Sequence, residues 1–158
     1  QTPQEYLHAL DARIIDWQTL RQDVVGTRYE PLAREEEELL DQRKLAFLLA
    51  NRHHLEDGNA RVVAAYQQLL AKHRESKNLY RYQIEFGDFY FALAQEYVAQ
   101  NDPETLEFHP DTFADLSHTA LQLYAQVAQV DGVMEKLEAK GKLEALKAYM
   151  AQVGQMSL

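Results

Sequence analysis

The sequence contains no cysteine. Disulfide frameworks, thiolate zinc sites, iron–sulfur clusters, covalent c-type haem and a cysteine nucleophile are therefore excluded together. Glycine and proline are scarce, at 6 and 4 of 158 residues, which removes collagen-like repeats and Gly/Pro-rich linkers. Val, Ile and Thr total 18, whereas Ala, Leu, Gln and Glu total 72. That imbalance argues against a β-sandwich and for helices. No run of apolar residues approaches the ~18 needed to span a bilayer as a helix.

Positive charge is also in deficit, with 16 basic residues against 25 acidic and a net charge of −9. A basic surface for phosphate contacts is missing, so nucleic acid is not an expected partner. Anionic membrane surfaces are disfavoured for the same reason. Serine occurs only at Ser76, Ser117 and Ser157, none in the setting of a nucleophile. There is no Gly-rich phosphate loop, no His-Glu-x-x-His and no Gly-x-Ser-x-Gly. The sequence therefore names no cofactor and leans away from an enzyme.

What is present is 46% hydrophobic and 26% charged, ordinary for a folded chain with a core. The length fits one helical domain over residues 1–158. The chain opens Gln1-Thr2-Pro3 without an initiator methionine. This start leads to the expectation of a removed signal peptide and an extracytoplasmic location, periplasmic or secreted, with a cytoplasmic one as the alternative.

Periodicity predicts a first helix over about Pro3–Val25, capped by Thr2, with Leu7, Leu10, Ile14, Trp17 and Val24 on one stripe. Thr27-Arg28-Tyr29-Glu30 reads as a capping box for a second helix over about Pro31–His53. Its acidic run Glu35–Glu38 reads as a solvated helix start, and Leu39, Ala46, Leu49 and His53 as one apolar face. Glu56-Asp57-Gly58-Asn59 reads as the turn that follows. Residues 59–100 read equally as one kinked helix or as two. Within them, Leu79, Tyr82, Phe86, Phe89, Leu93 and Tyr97 form one stripe, and Tyr80, Ile84, Gly87, Phe91, Ala94 and Val98 a second. A helix apolar on two sides is expected to be central, with Gly87 permitting a close crossing. After a loop at 101–111, Phe113, Leu116, Ala120, Leu123, Val127, Val130, Met134 and Leu137 suggest one amphipathic helix. A break at Lys140-Gly141-Lys142, a short last helix and a frayed end of five residues complete the reading. The predicted fold is all-α, an antiparallel bundle of five or six helices around a central aromatic-rich helix. A short helical-hairpin stack is the alternative.

Ala120-Leu121 with Tyr124, continuing through Ala128 and Val130 to Asp131, resembles the second helix of a tetratricopeptide repeat. The resemblance implies a peptide-binding groove. The related tyrosines Tyr66, Tyr97 and Tyr124 are 31 and 27 residues apart, not the repeat's ~34. Leu39-Leu40 with Arg43, Ala46, Ala50 and Leu55-Glu56-Asp57 is similar to the helical chorismate mutases. Here Gly58 stands for that family's proline and Arg61 for its glutamate. The expected lysine region reads Asn51-Arg52-His53-His54, so the groups that would stabilise the transition state are missing.

Asp111, Asp115 and His118 have the helical spacing of a metal-binding pair and are candidate ligands. They lie opposite the Phe113 stripe, which directs them to solvent. His53 reads as a packed or capping histidine. Lys72, His73, Arg74, Lys77 and Arg81 form a basic cluster beside Tyr80 and Tyr82, which reads first as a solvated helix face and next as a surface for an acidic protein partner. The functional expectation is a non-catalytic helical interaction or scaffold protein, an accessory subunit of an extracytoplasmic assembly, with an unidentified protein partner. The alternative is a bundle holding a small ligand, haem or metal between its helices.

Overall fold

A computed structural model describes residues 1–157 of the chain. Among them there are six helices and no strand: α1 Pro3–Asp23, α2 Glu30–Asn51, α3 Gly58–Lys72, α4 Leu79–Gln100, α5 Pro110–Ala128 and α6 Glu135–Met156. The fold is thus the all-helical bundle class that the composition predicts. Residues 59–100 hold two helices, parted at residues 73–78. Contacts group the helices into two compact units, Gln1–Glu75 and the chain from Ser76 onward. No helix among the described residues is long and apolar enough to cross a membrane.

In the first unit α2 packs against both α1 and α3. Thr2 starts α1 with a capping box: its hydroxyl accepts the Glu5 N–H at 3.1 Å, and the Glu5 carboxylate accepts the Thr2 N–H at 2.9 Å. Leu7, Leu10 and Ile14 are buried at the expected three- and four-residue steps, and Trp17 packs on the cluster of Leu10, Ile14 and Leu40. The start of α2 departs from expectation. Tyr29 is its N-cap, and the Glu30 carboxylate reaches back to the Gly26 N–H at 2.9 Å instead of to Thr27.

The inward face of α2 also differs. It is made by Ala33, Glu37, Leu40, Leu45 and Leu48. Leu39 is 45% exposed, Ala46 is exposed, and His53 lies past the helix end in an exposed turn. One residue is ~100° of helix, so Leu39 turns away once Leu40 faces α1. Asp57 then adopts a left-handed backbone with φ 53°, and Gly58 begins α3 pressed against the preceding chain. A Cβ at position 58 would sit 1.8 Å from the Arg52 carbonyl oxygen.

In the second unit α5 packs against α4 and α6, and α4 also meets α6. Both predicted stripes of α4 are realised. Ile84 joins Ala120, Tyr124, Val127, Ala139 and Leu146 in one cluster, with Tyr80 and Phe91 packed on it. Ala94 joins Phe108, Phe113 and Val153 in another. Tyr82, Phe86 and Phe89 on the other stripe are buried as well. The close approach expected at Gly87 is made by a ring: a Cβ there would lie 2.7 Å from Tyr124 Cε1.

The last third of the chain is segmented differently from the periodic reading. α5 stops at Ala128, Gly132 takes φ 83° in the turn, and α6 runs through Gly141 to Met156. Met134 and Leu137, expected on the buried stripe, are 94% and 78% exposed. The heptad-spaced Ala139, Leu146 and Val153 supply the inward face of α6 instead. Gly141 has open space around it, so it causes no break, and at ~1 kcal/mol relative to Ala its cost is tolerated within a packed helix.

Replacing Gly58 by Ala is expected to destabilise the first unit by about 2–3 kcal/mol, because backbone on both sides of the clash must shift. Urea unfolding followed by Trp17 fluorescence reads this directly, since Trp17 is the single tryptophan and lies in α1. An unchanged midpoint contradicts the packing described for this turn.

Candidate functional site

The most unusual chemistry of the first unit lies inside the acidic run of α2. Glu35 and Glu36 are exposed, but Glu37 is fully buried, at 0%. Asp41 follows one turn later on the same side of α2. Lys72 is the last residue of α3 and His73 its C-cap, whose N–H bonds to the Leu69 carbonyl at 3.0 Å. Arg21 stands in the last turn of α1. Cations at the carboxyl ends of α1 and α3 are favoured by the helix dipoles, and both ends meet the carboxylates of α2.

Arg21 Nε donates to Glu37 Oε1 at 3.1 Å. Lys72 Nζ lies 3.0 Å from Glu37 Oε2 and 3.0 Å from Asp41 Oδ2, an ammonium bridging two carboxylates. Toward Glu37 Oε2 the contact is an ion pair without hydrogen-bond alignment, so that buried oxygen accepts no hydrogen bond. His73 Nε2 is 2.7 Å from Asp41 Oδ2, and the acceptor-only carboxylate requires that nitrogen to donate. The opposite ring nitrogen, Nδ1, is buried without a hydrogen-bond partner, 3.7 Å from Glu38 Oε1. Three carboxylates thus face two permanent cations and one imidazole. Desolvating a carboxylate costs several kcal/mol, which close pairing offsets.

A second polar network belongs to the other unit. Tyr124 Oη donates to Asp88 Oδ1 at 2.5 Å, and Lys142 Nζ donates to Asp88 Oδ2 at 2.7 Å. Burial, then the bond to Asp88, raises the Tyr124 phenol well above the usual tyrosine range. Arg81 donates to Glu138 at 2.6 Å, and that hydrogen bond chiefly lowers the Glu138 carboxyl. Burial raises Glu85. A shallow open pocket lined by Asp88, Phe91, Gln95 and Tyr124 adjoins this network. Of its lining residues, Phe91 packs on Tyr149 at 5.4 Å between ring centroids, and in the Ala94 cluster Phe108 packs on Phe113 at 5.8 Å.

The residues singled out from the sequence are placed as follows. Asp111, Asp115 and His118 are all exposed on α5, facing solvent as the helical wheel predicts. Among the described residues, the group of three metal-ligating side chains that converges is Glu37, Asp41 and His73. Lys72 turns into the acidic cluster of its own unit, and Arg81 pairs with Glu138 in the other. Arg74 and Lys77 are exposed, and Tyr80 packs against the Ile84 cluster. The buried histidine is His73, not His53. The sequence reading puts Glu37 in a solvated helix start and His73 in a basic cluster, both corrected by their burial, and does not mark Asp41. The signal was available for Glu37: Ala33, Glu37, Leu40 and Leu48 repeat at helical steps, which places this glutamate on the buried face.

No family model matches the chain, and no characterised protein or solved structure is detectably similar to it.

The contrast between neighbouring glutamates is open to test. Glu37→Ala is expected to lower the stability of the first unit by about 2–3 kcal/mol. That figure is below the usual cost of stripping a buried pair, because Arg21 and Lys72 keep side-chain exposures of 29% and 22% and regain water. Glu36→Ala is expected to stay within about 0.5 kcal/mol of the parent. Equal effects of the two substitutions on the Trp17 unfolding midpoint would show that Glu37 is not held as described.

Proposed function

We propose that this chain is a non-catalytic helical interaction protein, docking a protein partner at the end of the α1–α2 hairpin. The observation that carries the reading is the placement of exposed apolar side chains. In the first unit every strongly exposed large one falls between Ile15 and Leu39: Ile15, Leu20, Val25, Tyr29, Leu32 and Leu39. Val25, Tyr29 and Leu32 are 64%, 51% and 59% exposed at one turn. Single exposed apolar residues are ordinary, but a concentration at one tip marks an interaction surface.

The tip is also partly pre-ordered. Arg28 lies 4.9 Å over the Tyr29 ring and donates to the Tyr29 hydroxyl at 2.8 Å. A tyrosine and an arginine held in place lose little side-chain entropy on binding, which suits an anchoring pair. Exposed Asp16, Asp23, Glu35 and Glu36 share this region of the chain with exposed Arg13, Arg28 and Arg34. The complementary partner is a protein surface with an apolar centre and a rim of mixed charge.

Affinity capture with the full chain, followed by titration of the captured partner, tests this reading. Val25→Asp with Leu32→Asp should leave the circular dichroism spectrum intact and weaken binding at least tenfold. A partner held equally well by the double variant, or no partner held by the parent chain, contradicts the proposal.

A further inference from the structure

We propose that Glu37, Asp41 and His73 form a divalent transition-metal site, fitted to zinc, in which the metal replaces the Lys72 ammonium. The inference is independent of the docking surface above.

Its geometric basis is convergence. One ligand atom from each of the three residues lies within 4.8 Å of the others. Ligands around tetrahedral zinc, at metal–ligand distances near 2.1 Å, are about 3.4 Å apart. His73 Nε2 and Asp41 Oδ2 are 2.7 Å apart, and every ligand-atom separation lies within 4.8 Å. Side-chain adjustments of about 1 Å bring these atoms to the required spacing. One imidazole and two carboxylates form a mixed nitrogen–oxygen donor set that suits zinc better than calcium or magnesium.

Two further observations point to a cation with more bonds than an ammonium. Glu37 has no solvent exposure, and its Oε2, on the Lys72 side of the cluster, accepts no hydrogen bond. His73 Nδ1 is likewise buried without a partner, with Glu38 Oε1 3.7 Å away. With Nε2 on a metal, the ring proton moves to Nδ1 and faces Glu38. That is the carboxylate–histidine–metal arrangement that orients ligating histidines. The orphaned nitrogen and the nearby carboxylate are thus the outer part of the same site.

The ammonium has a route out of the cluster. Lys72 ends α3 with a side chain 22% exposed, so its long flexible stem can carry the ammonium out to water still protonated.

The test is calorimetric titration of the chelator-treated full chain with zinc chloride, with parallel thermal melts. One zinc per chain is expected, with a rise in melting temperature. Asp41→Asn should weaken binding at least tenfold, because it removes a ligand. Lys72→Met should tighten it at least tenfold, because it removes the competing ammonium and keeps all three ligands. If Asp41→Asn does not fold, the Lys72→Met result decides alone. No zinc binding by either the parent or Lys72→Met overturns the proposal. Binding that neither substitution changes also overturns it, by placing the ion at other histidines on the surface.

Discussion

A carboxylate without solvent exposure in the middle of a helix constrains what may surround that helix. Glu37 is such a group, and the first unit is arranged about it. Its two oxygens face cations from different helices, Arg21 of α1 and Lys72 of α3. α2 is the helix that touches both neighbours. Leu10, Ile14 and Leu40 supply apolar contact between α1 and α2, but apolar contact is non-directional and tolerates sliding. The hydrogen-bonded Arg21–Glu37 pair at 3.1 Å does not. A slip of one residue in either neighbour would leave a charge buried without its partner, at several kcal/mol. We attribute the register of the three helices to this carboxylate.

The second unit solves its packing by size. Gly87 admits the Tyr124 ring against α4, and the ring's hydroxyl ends on Asp88, the next residue. Lys142 of α6 meets the same carboxylate. One glycine and one aspartate therefore connect α4 with both α5 and α6. Lys142 and Asp88 are less buried than Glu37, with side chains 33% and 41% exposed. The accompanying Arg81–Glu138 pair is 41% and 38% exposed, where an ion pair contributes at most about 1 kcal/mol.

The parts of this fold legible in the sequence are those governed by local periodicity. The Thr2 cap, the stripe through Leu7, Leu10 and Ile14, and both stripes of α4 follow from spacing alone. Periodicity misleads where it continues across a turn. Val130, Met134 and Leu137 keep the phase of α5, yet that helix has already ended at Ala128, and Gly132 lies in the turn that follows. Gly141 reads as a stop but sits inside α6, because Ala139, Leu146 and Val153 hold that helix through their burial. The candidate site was harder to read for a different reason. A glutamate in a run of four looks solvated, and its burial depends on Arg21 and Lys72, which lie 16 and 35 positions away along the chain. His73 gives even less signal, since its surroundings are made by α2.

Internal pairing also separates the charges that hold the fold from those left to meet other molecules. Lys72 and Arg81 are engaged within their own units, whereas the apolar tip at Val25, Tyr29 and Leu32 is exposed. The central claim is that Glu37 and its cations form one energetic unit. A double-mutant cycle with Arg21→Met, Glu37→Gln and their combination, read by Trp17 fluorescence in urea, tests it most directly. A coupling energy of about 1–3 kcal/mol is predicted. A value within about 0.3 kcal/mol of zero, the additivity of sites that do not interact, would contradict the account.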